Sequence, residues 1–120
     1  MHFLTGLILG IIFQCAHTIS DTDFPLVDGH NKLEHDVATH QLLTTANFAN
    51  SNRFFSWFAG GLNFQIEHHL FPNICHIHHR AISKIVKQTA IEFELPYHNT
   101  PTFRAALVGH AKFLNELGKK

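Results

Sequence analysis

Residues Gly60 to His79 read GGLNFQIEHHLFPNICHIHH and hold five of the twelve histidines of this 120-residue chain. Gln65, His68 and His69 stand directly among Phe64, Leu70 and Phe71. A polar group buried without a partner is unfavourable. These rings must therefore have hydrogen-bond partners, face water or hold a metal. On a helix Gln65 is three residues from His68 and four from His69, so all three share one side. Adjacent histidines point about 100° apart, at 3.6 residues per turn. Either ring could serve one metal, or two metals a few ångströms apart could take one ring each. That geometry suits a dinuclear site better than a single tetrahedral zinc. The plainer alternative is a pair of surface histidines on a short helix.

The other histidines form weaker patterns. His30, His35 and His40 are five apart, about 140° per step on a helix, so they do not share a face and read as loop or surface residues. Cys75, His76, His78 and His79 form C-H-x-H-H, a set of ligand types that suits zinc or copper. No second cluster at finger spacing accompanies it, so a polar helix start is the competing reading. His98 and His110 read as a loop and a helix-face residue. His17 ends an apolar run in FQCAH, with Gln14 one turn earlier. A polar pair at the end of a membrane helix can face a bundle interior and be functional.

That apolar run, Phe3 to Ala16, carries no charge. Its fourteen residues of helix would span roughly 21 Å, short of the roughly 30 Å hydrocarbon core. No Lys or Arg precedes it and no small-residue cleavage site follows, so it does not fit a signal peptide. It reads as a short buried helix or as the second half of a transmembrane helix.

The rest of the chain is organised as one mainly α-helical unit. Asp21, Asp23, Pro25, Asp28, Gly29 and Asn31 mark Thr18 to His35 as a loop with turns. Residues 33–48 have poor apolar spacing for a helix. Ser51 to Ala59 is a short aromatic helix stopped by Gly60 and Gly61. Asn63 is expected to cap a second short helix, Phe64 to Leu70, which Phe71-Pro72 closes. Ile74, Ile77, Ala81, Ile82, Ile85, Val86, Ala90 and Phe93 give an amphipathic helix ended by Leu95-Pro96. Thr100-Pro101 is the expected start of a last helix. Its apolar face runs from Phe103 to Leu117, and Gly118 is the expected stop. The helices over residues 77–93 and 101–117 are expected to pack on each other.

Nine basic and nine acidic residues balance, and no Gly-rich phosphate loop occurs, so nothing points to nucleic acid. Two cysteines make no disulfide framework.

The block G-G-L-N-F-Q-I-E-H-H-L-F-P resembles the third histidine box of the membrane fatty acid desaturases. It is similar in particular to the front-end type, Δ5- and Δ6-like, in which Gln replaces the first His of the box, as Gln65 does here. Residues 78–97, ending I-E-F-E-L-P-Y, with T-T-A-N-F (Thr44 to Phe48) and F-Q-C-A-H (Phe13 to His17), extend the resemblance over essentially the whole chain. It implies a non-haem di-iron oxygenase with two iron ions, an acyl-CoA or acyl-lipid substrate, a membrane, and an electron donor such as cytochrome b5 or ferredoxin. It implies His68 and His69 as metal ligands, His17 as an additional ligand, and Gln65 as a metal-linked residue. It also implies that residues 1–17 end a transmembrane helix and that residues 18–120 are the cytosolic C-terminal part of the desaturase domain. Two earlier boxes of the family, HxxxH and HxxHH, do not occur among the twelve histidines, and no haem-binding cytochrome b5-like region is present. The chain thus reads as the C-terminal part of a desaturase, inactive alone; the alternatives are a small metal-binding module using Cys75, His76, His78 and His79, or a non-catalytic membrane-associated helical protein.

Overall fold

A computed structural model describes residues 1–18 and 36–119. The expected loop from Thr18 to His35, with His30 and His35, lies almost wholly outside the described residues. The described chain is mainly helical: α1 (His2–His17), α2 (Val37–Thr44), α3 (Arg53–Phe58), α4 (Gln65–Leu70), a 3₁₀ turn (His76–His78), α5 (His79–Glu92) and α6 (Phe103–Leu117). Two strands, β1 (Ala46–Phe48) and β2 (His98–Thr100), pair in parallel, with Asn47 opposite Asn99.

The strands were not legible as such, and they correct two expectations. Thr100 belongs to β2, and the last helix is capped two residues later by Thr102, whose side chain accepts from the Ala105 N–H at 3.1 Å. Pro101 therefore lies before the cap. Within the expected stretch 33–48, residues 37–48 divide into α2 and β1, which explains the poor helical spacing there. Asp36 caps α2 by accepting from the Thr39 N–H at 2.8 Å.

Other boundaries follow from local chemistry. Asn52 caps α3 through the Phe55 N–H. Gly60 and Gly61 then take φ of +59° and +78°, a region that L side chains adopt at a cost. At Gly61 a Cβ would also lie 2.6 Å from the Cβ of His76. Glu94 takes φ +55°, and the Leu95 N–H returns to the Ala90 carbonyl at 2.8 Å. This left-handed closure ends α5 before Pro96.

Two apolar clusters flank β1. Ile12, Cys15, Ala16, Phe48, Ala49, Ala59 and Ala106 make one, joining α1, β1 and α6. Leu42, Ile66, Val86 and Ala90 make the other, joining α2, α4 and α5. The two amphipathic C-terminal helices do not pair with each other as expected: α6 packs on α1, and α5 packs on α4. Helix α6 contributes Ala106 to the cluster of α1 and β1, whereas α5 contributes Val86 and Ala90 to the cluster of α2 and α4.

Among the described residues no helix is long and apolar enough to cross a membrane. The sixteen residues of α1 reach about 24 Å at 1.5 Å per residue. Its outer side leaves Phe3, Leu4 and Leu7 mostly exposed.

Candidate metal centre

Three polar side chains from distant parts of the sequence meet at the end of α1. The Nε2 of His17 lies 3.3 Å from the Nε2 of His69 and 3.3 Å from the Nε2 of Gln65. The rings of His17 and His69 stand edge to face with centroids 5.1 Å apart. The Thr44 backbone hydrogen-bonds to the His17 ring, which leaves Nε2 for the shared point. A histidine whose second nitrogen is held by a backbone carbonyl is oriented as metal-binding histidines are.

His17 is half-buried at the end of α1. The electrostatics at His69 agree with a neutral ring. Burial lowers its pKa, with the neighbouring His17 and His68 rings acting in the same direction. Neutral imidazoles present lone pairs, as metal ligation requires. Gln65 is 1% exposed, and its Oε1 is buried without a hydrogen-bond partner. A buried, unpaired amide oxygen beside two converging imidazoles is a donor atom suited to a cation.

His68 points away from this cluster. Its ring centroid is 5.7 Å from that of His69 and 6.2 Å from that of His79. It borders a cavity of about 270 Å³ lined by Gly60, Gly61, Pro72, Cys75, His76 and His79. His79 is 1% exposed, and both its ring nitrogens lack a well-formed hydrogen bond. Burial lowers its pKa, opposed by the Ile74 backbone. Cys75, His76 and His78 are exposed and His79 is buried. Of the C-H-x-H-H residues, Cys75, His76 and His79 border this cavity and His78 does not. Among the described residues no three His, Cys, Asp or Glu side chains are arranged to hold a metal ion between them. The chain provides two imidazoles and an amide at one point, with His68 directed to a second. His40 lies half-buried on α2.

What holds α4 in place was not foreseen. Asn63, the expected cap, instead donates to Ser56 Oγ at 3.0 Å. The N–H of Ile66 is taken by the side chain of Asn47, Oδ1 at 3.0 Å. The Nδ2 of the same asparagine donates to Glu67 Oε2 at 2.7 Å and to the Tyr97 hydroxyl at 2.8 Å. Tyr97 donates in turn to Glu67 Oε1 at 2.8 Å. Asn47 and Glu67 are both 0% exposed. Burial raises the Glu67 carboxyl pKa, and the bonds from Tyr97 and Asn47 oppose that shift. The sequence signal is that Asn47, Glu67 and Tyr97 each fall inside one of the blocks TTANF, QIEHH and LPY.

Comparison with known proteins gives this geometry a family. The fatty acid desaturase family model matches residues 1–101. The chain belongs to the fatty acid desaturase family. It is 44% identical over 115 residues to the sn-1 linoleoyl-lipid 6-desaturase of Synechocystis, covering 95% of this chain and 32% of that protein. It is also 44% identical over 115 residues to an acyl-lipid (8-3)-desaturase of Physcomitrium patens, covering 96% of this chain and 24% of that protein. A Delta(5) fatty acid desaturase of Dictyostelium discoideum is 32% identical over 120 residues, 97% of this chain and 26% of its own length. The desaturase chain described here thus spans about a quarter to a third of these relatives. No solved structure matches it.

Proposed function

We propose that this chain is the part of a non-haem di-iron fatty acid desaturase that carries its last histidine cluster. The reaction is insertion of a double bond into an acyl chain, of the front-end type. The names of the relatives favour an acyl-lipid substrate over acyl-CoA. The observation that carries the reading is the convergence of His17 Nε2, His69 Nε2 and Gln65 at one point.

An unactivated C–H bond has no acidic proton, so side-chain bases alone do not remove its hydrogen. Bound iron supplies the redox chemistry with O₂. The balance is two C–H bonds and two donor electrons with two protons, converting one O₂ to two waters. His17 and His69 would hold one iron and His68 would contribute to the second, with Gln65 linked to the first. The remaining ligands would come from residues beyond this chain. The protein's task is to orient these donors and exclude water. The electron donor would be of the cytochrome b5 or ferredoxin kind.

The same reading makes α1 the end of a transmembrane helix. His17 then lies at its cytosolic end, and the catalytic part lies on the cytosolic side of an integral membrane protein. The exposed apolar side of α1 and its lack of charge support this placement.

The test is expression in yeast of the complete reading frame that includes this chain, with fatty acid profiling. A new double bond that disappears in both His68→Ala and His69→Ala is expected. Full activity of either variant would remove that histidine from the centre.

A further inference from the structure

We propose that Asn47, Glu67 and Tyr97 act as one positioning unit that sets the direction of His68 and His69; the inference rests on the metal-centre reading above. Helix α4 has six residues, far below the length at which a helix is stable on its own. Its cap residue, Phe64, offers no side-chain hydrogen bond. The helix axis and its rotation must therefore be fixed from outside.

Asn47 does this with both ends of its amide. Its oxygen takes the Ile66 N–H, and its nitrogen donates to the Glu67 carboxylate and to the Tyr97 hydroxyl. Tyr97 closes the ring on the other carboxylate oxygen. The unit joins three segments: β1, the first turn of α4, and the residue that leads into β2. The parallel pairing sets Ala46 opposite His98 and Asn47 opposite Asn99, so Tyr97, one residue before β2, is held close to Asn47. Glu67 points into the core and is fully buried, whereas the next two residues, His68 and His69, face outward. With 100° between successive residues, locking the Glu67 side chain locks the directions of both rings. A ring nitrogen lies far from the helix axis. Small rotations therefore move it by more than the roughly 0.2 Å tolerance of metal–ligand distances.

This differs from ordinary core packing in a testable way, because the unit works by hydrogen-bond polarity. Asn47→Asp places a carboxylate against Glu67 and removes the donor. Adding Glu67→Gln restores three of the four bonds, the one between positions 47 and 67 in reverse; only the donation from position 47 to the Tyr97 hydroxyl is not recovered. The carboxylate now at position 47 accepts from the Ile66 N–H and from the amide now at position 67, and the oxygen of that amide accepts from Tyr97. Volume and net charge of the pair are unchanged.

The experiment uses the complete desaturase that includes this chain, purified in detergent. Co(II) uptake is followed by visible absorption, and amide hydrogen exchange is measured in parallel. Loss of a partner that orients a ligand typically costs about 10–100-fold in metal affinity. Asn47→Asp is expected to weaken Co(II) binding by that order and to expose the amides of residues 66–70, while α5 and α6 stay protected. Tyr97→Phe should do the same more weakly. The double variant Asn47→Asp/Glu67→Gln should recover part of both losses, since the donor to Tyr97 stays absent. Unchanged Co(II) affinity in Asn47→Asp, or a double variant no better than the single one, would overturn the inference. If the unsubstituted desaturase takes up no Co(II), the metal-centre reading fails on its own. Protection of residues 66–70 then still decides whether the unit positions α4, and an unaltered pattern in Asn47→Asp overturns it.

Discussion

His17 and His69 are 52 residues apart in sequence, yet their Nε2 atoms lie 3.3 Å apart. Two neutral nitrogens at this distance can share one proton, but a cation between them uses both lone pairs. Replacing either ring with Ala should therefore reduce metal uptake by more than the roughly 10–100-fold expected for an outer partner. Iron or Co(II) content of the purified chain measures this. Equal metal content in the His17→Ala and unsubstituted chains would remove His17 from the site.

Gln65 offers a graded test of the same point. Its Oε1 is buried and unpaired, while its Nε2 faces His17. Gln65→His keeps a group able to donate to or ligate a metal-bound partner, and Gln65→Ala does not. Metal content and double-bond formation should both rank in the order Gln, His, Ala. An Ala variant equal to the His variant would show that this position does no more than fill space.

The glycine pair before α4 separates two kinds of strain. Both residues have positive φ, but only Gly61 has a neighbour where a Cβ would go, His76 at 2.6 Å. Gly60→Ala should cost about 1 kcal/mol, the usual order for an L residue in this region. Gly61→Ala should cost more, on the order of 1–3 kcal/mol, because His76 must also move. Denaturant unfolding of the two variants side by side tests this ranking, and equal losses would contradict it.

Much of this site was legible because its chemistry is local in sequence. Gln65, His68 and His69 lie within one short block, although the fold brings only Gln65 and His69 to His17 and leaves His68 bordering a separate cavity. His17 was found through resemblance and not from spacing, since no local pattern links residues 17 and 69. Gly60 and Gly61 were readable as a stop because few other residues tolerate their backbone. The strands were missed because each has three residues, too short for alternation to show. The role of Asn47 was missed for a related reason. Its partners lie 19, 20 and 50 residues away, and only the fold brings them to one amide. The apolar pattern of α6 was legible, but its partner, α1, stands at the other end of the chain, where no local pattern points.

Phe48 tests whether β1 is the structural centre. It is 0% exposed, with ring centroids 5.9 Å from Phe55 and 6.0 Å from Phe103. It thereby ties β1 to α3 and α6. Phe48→Ala should cost about 3–5 kcal/mol, through lost transfer energy and the cavity left behind. Phe54, on the outer side of α3 and 73% exposed, should lose far less within this chain when changed to Ala. Thermal or denaturant unfolding of both variants checks the contrast. Comparable losses would mean that the aromatic side of α3 is covered in solution.

Tyr97 is the chain's single tyrosine, so its ionisation can be followed by ultraviolet absorption without overlap from another phenol. Burial pushes its pKa above the ordinary range of about 10, and the Glu67 carboxylate raises it further by charge and by hydrogen bonding. In the unfolded chain the phenol titrates normally. Above about pH 10 the folded state therefore holds a proton that the unfolded state has released, and stability must fall as pH rises. Below the unfolded pKa both states are protonated and the phenol adds no pH dependence. The phenolate signal should appear only as the fold is lost, with absorption and helix content changing together. Tyr97→Phe should remove this tyrosine-dependent part of the alkaline slope while lowering stability near neutrality through loss of the Glu67 hydrogen bond. A phenolate that forms near pH 10 in a chain whose helices remain intact would show that Tyr97 is not held against Glu67.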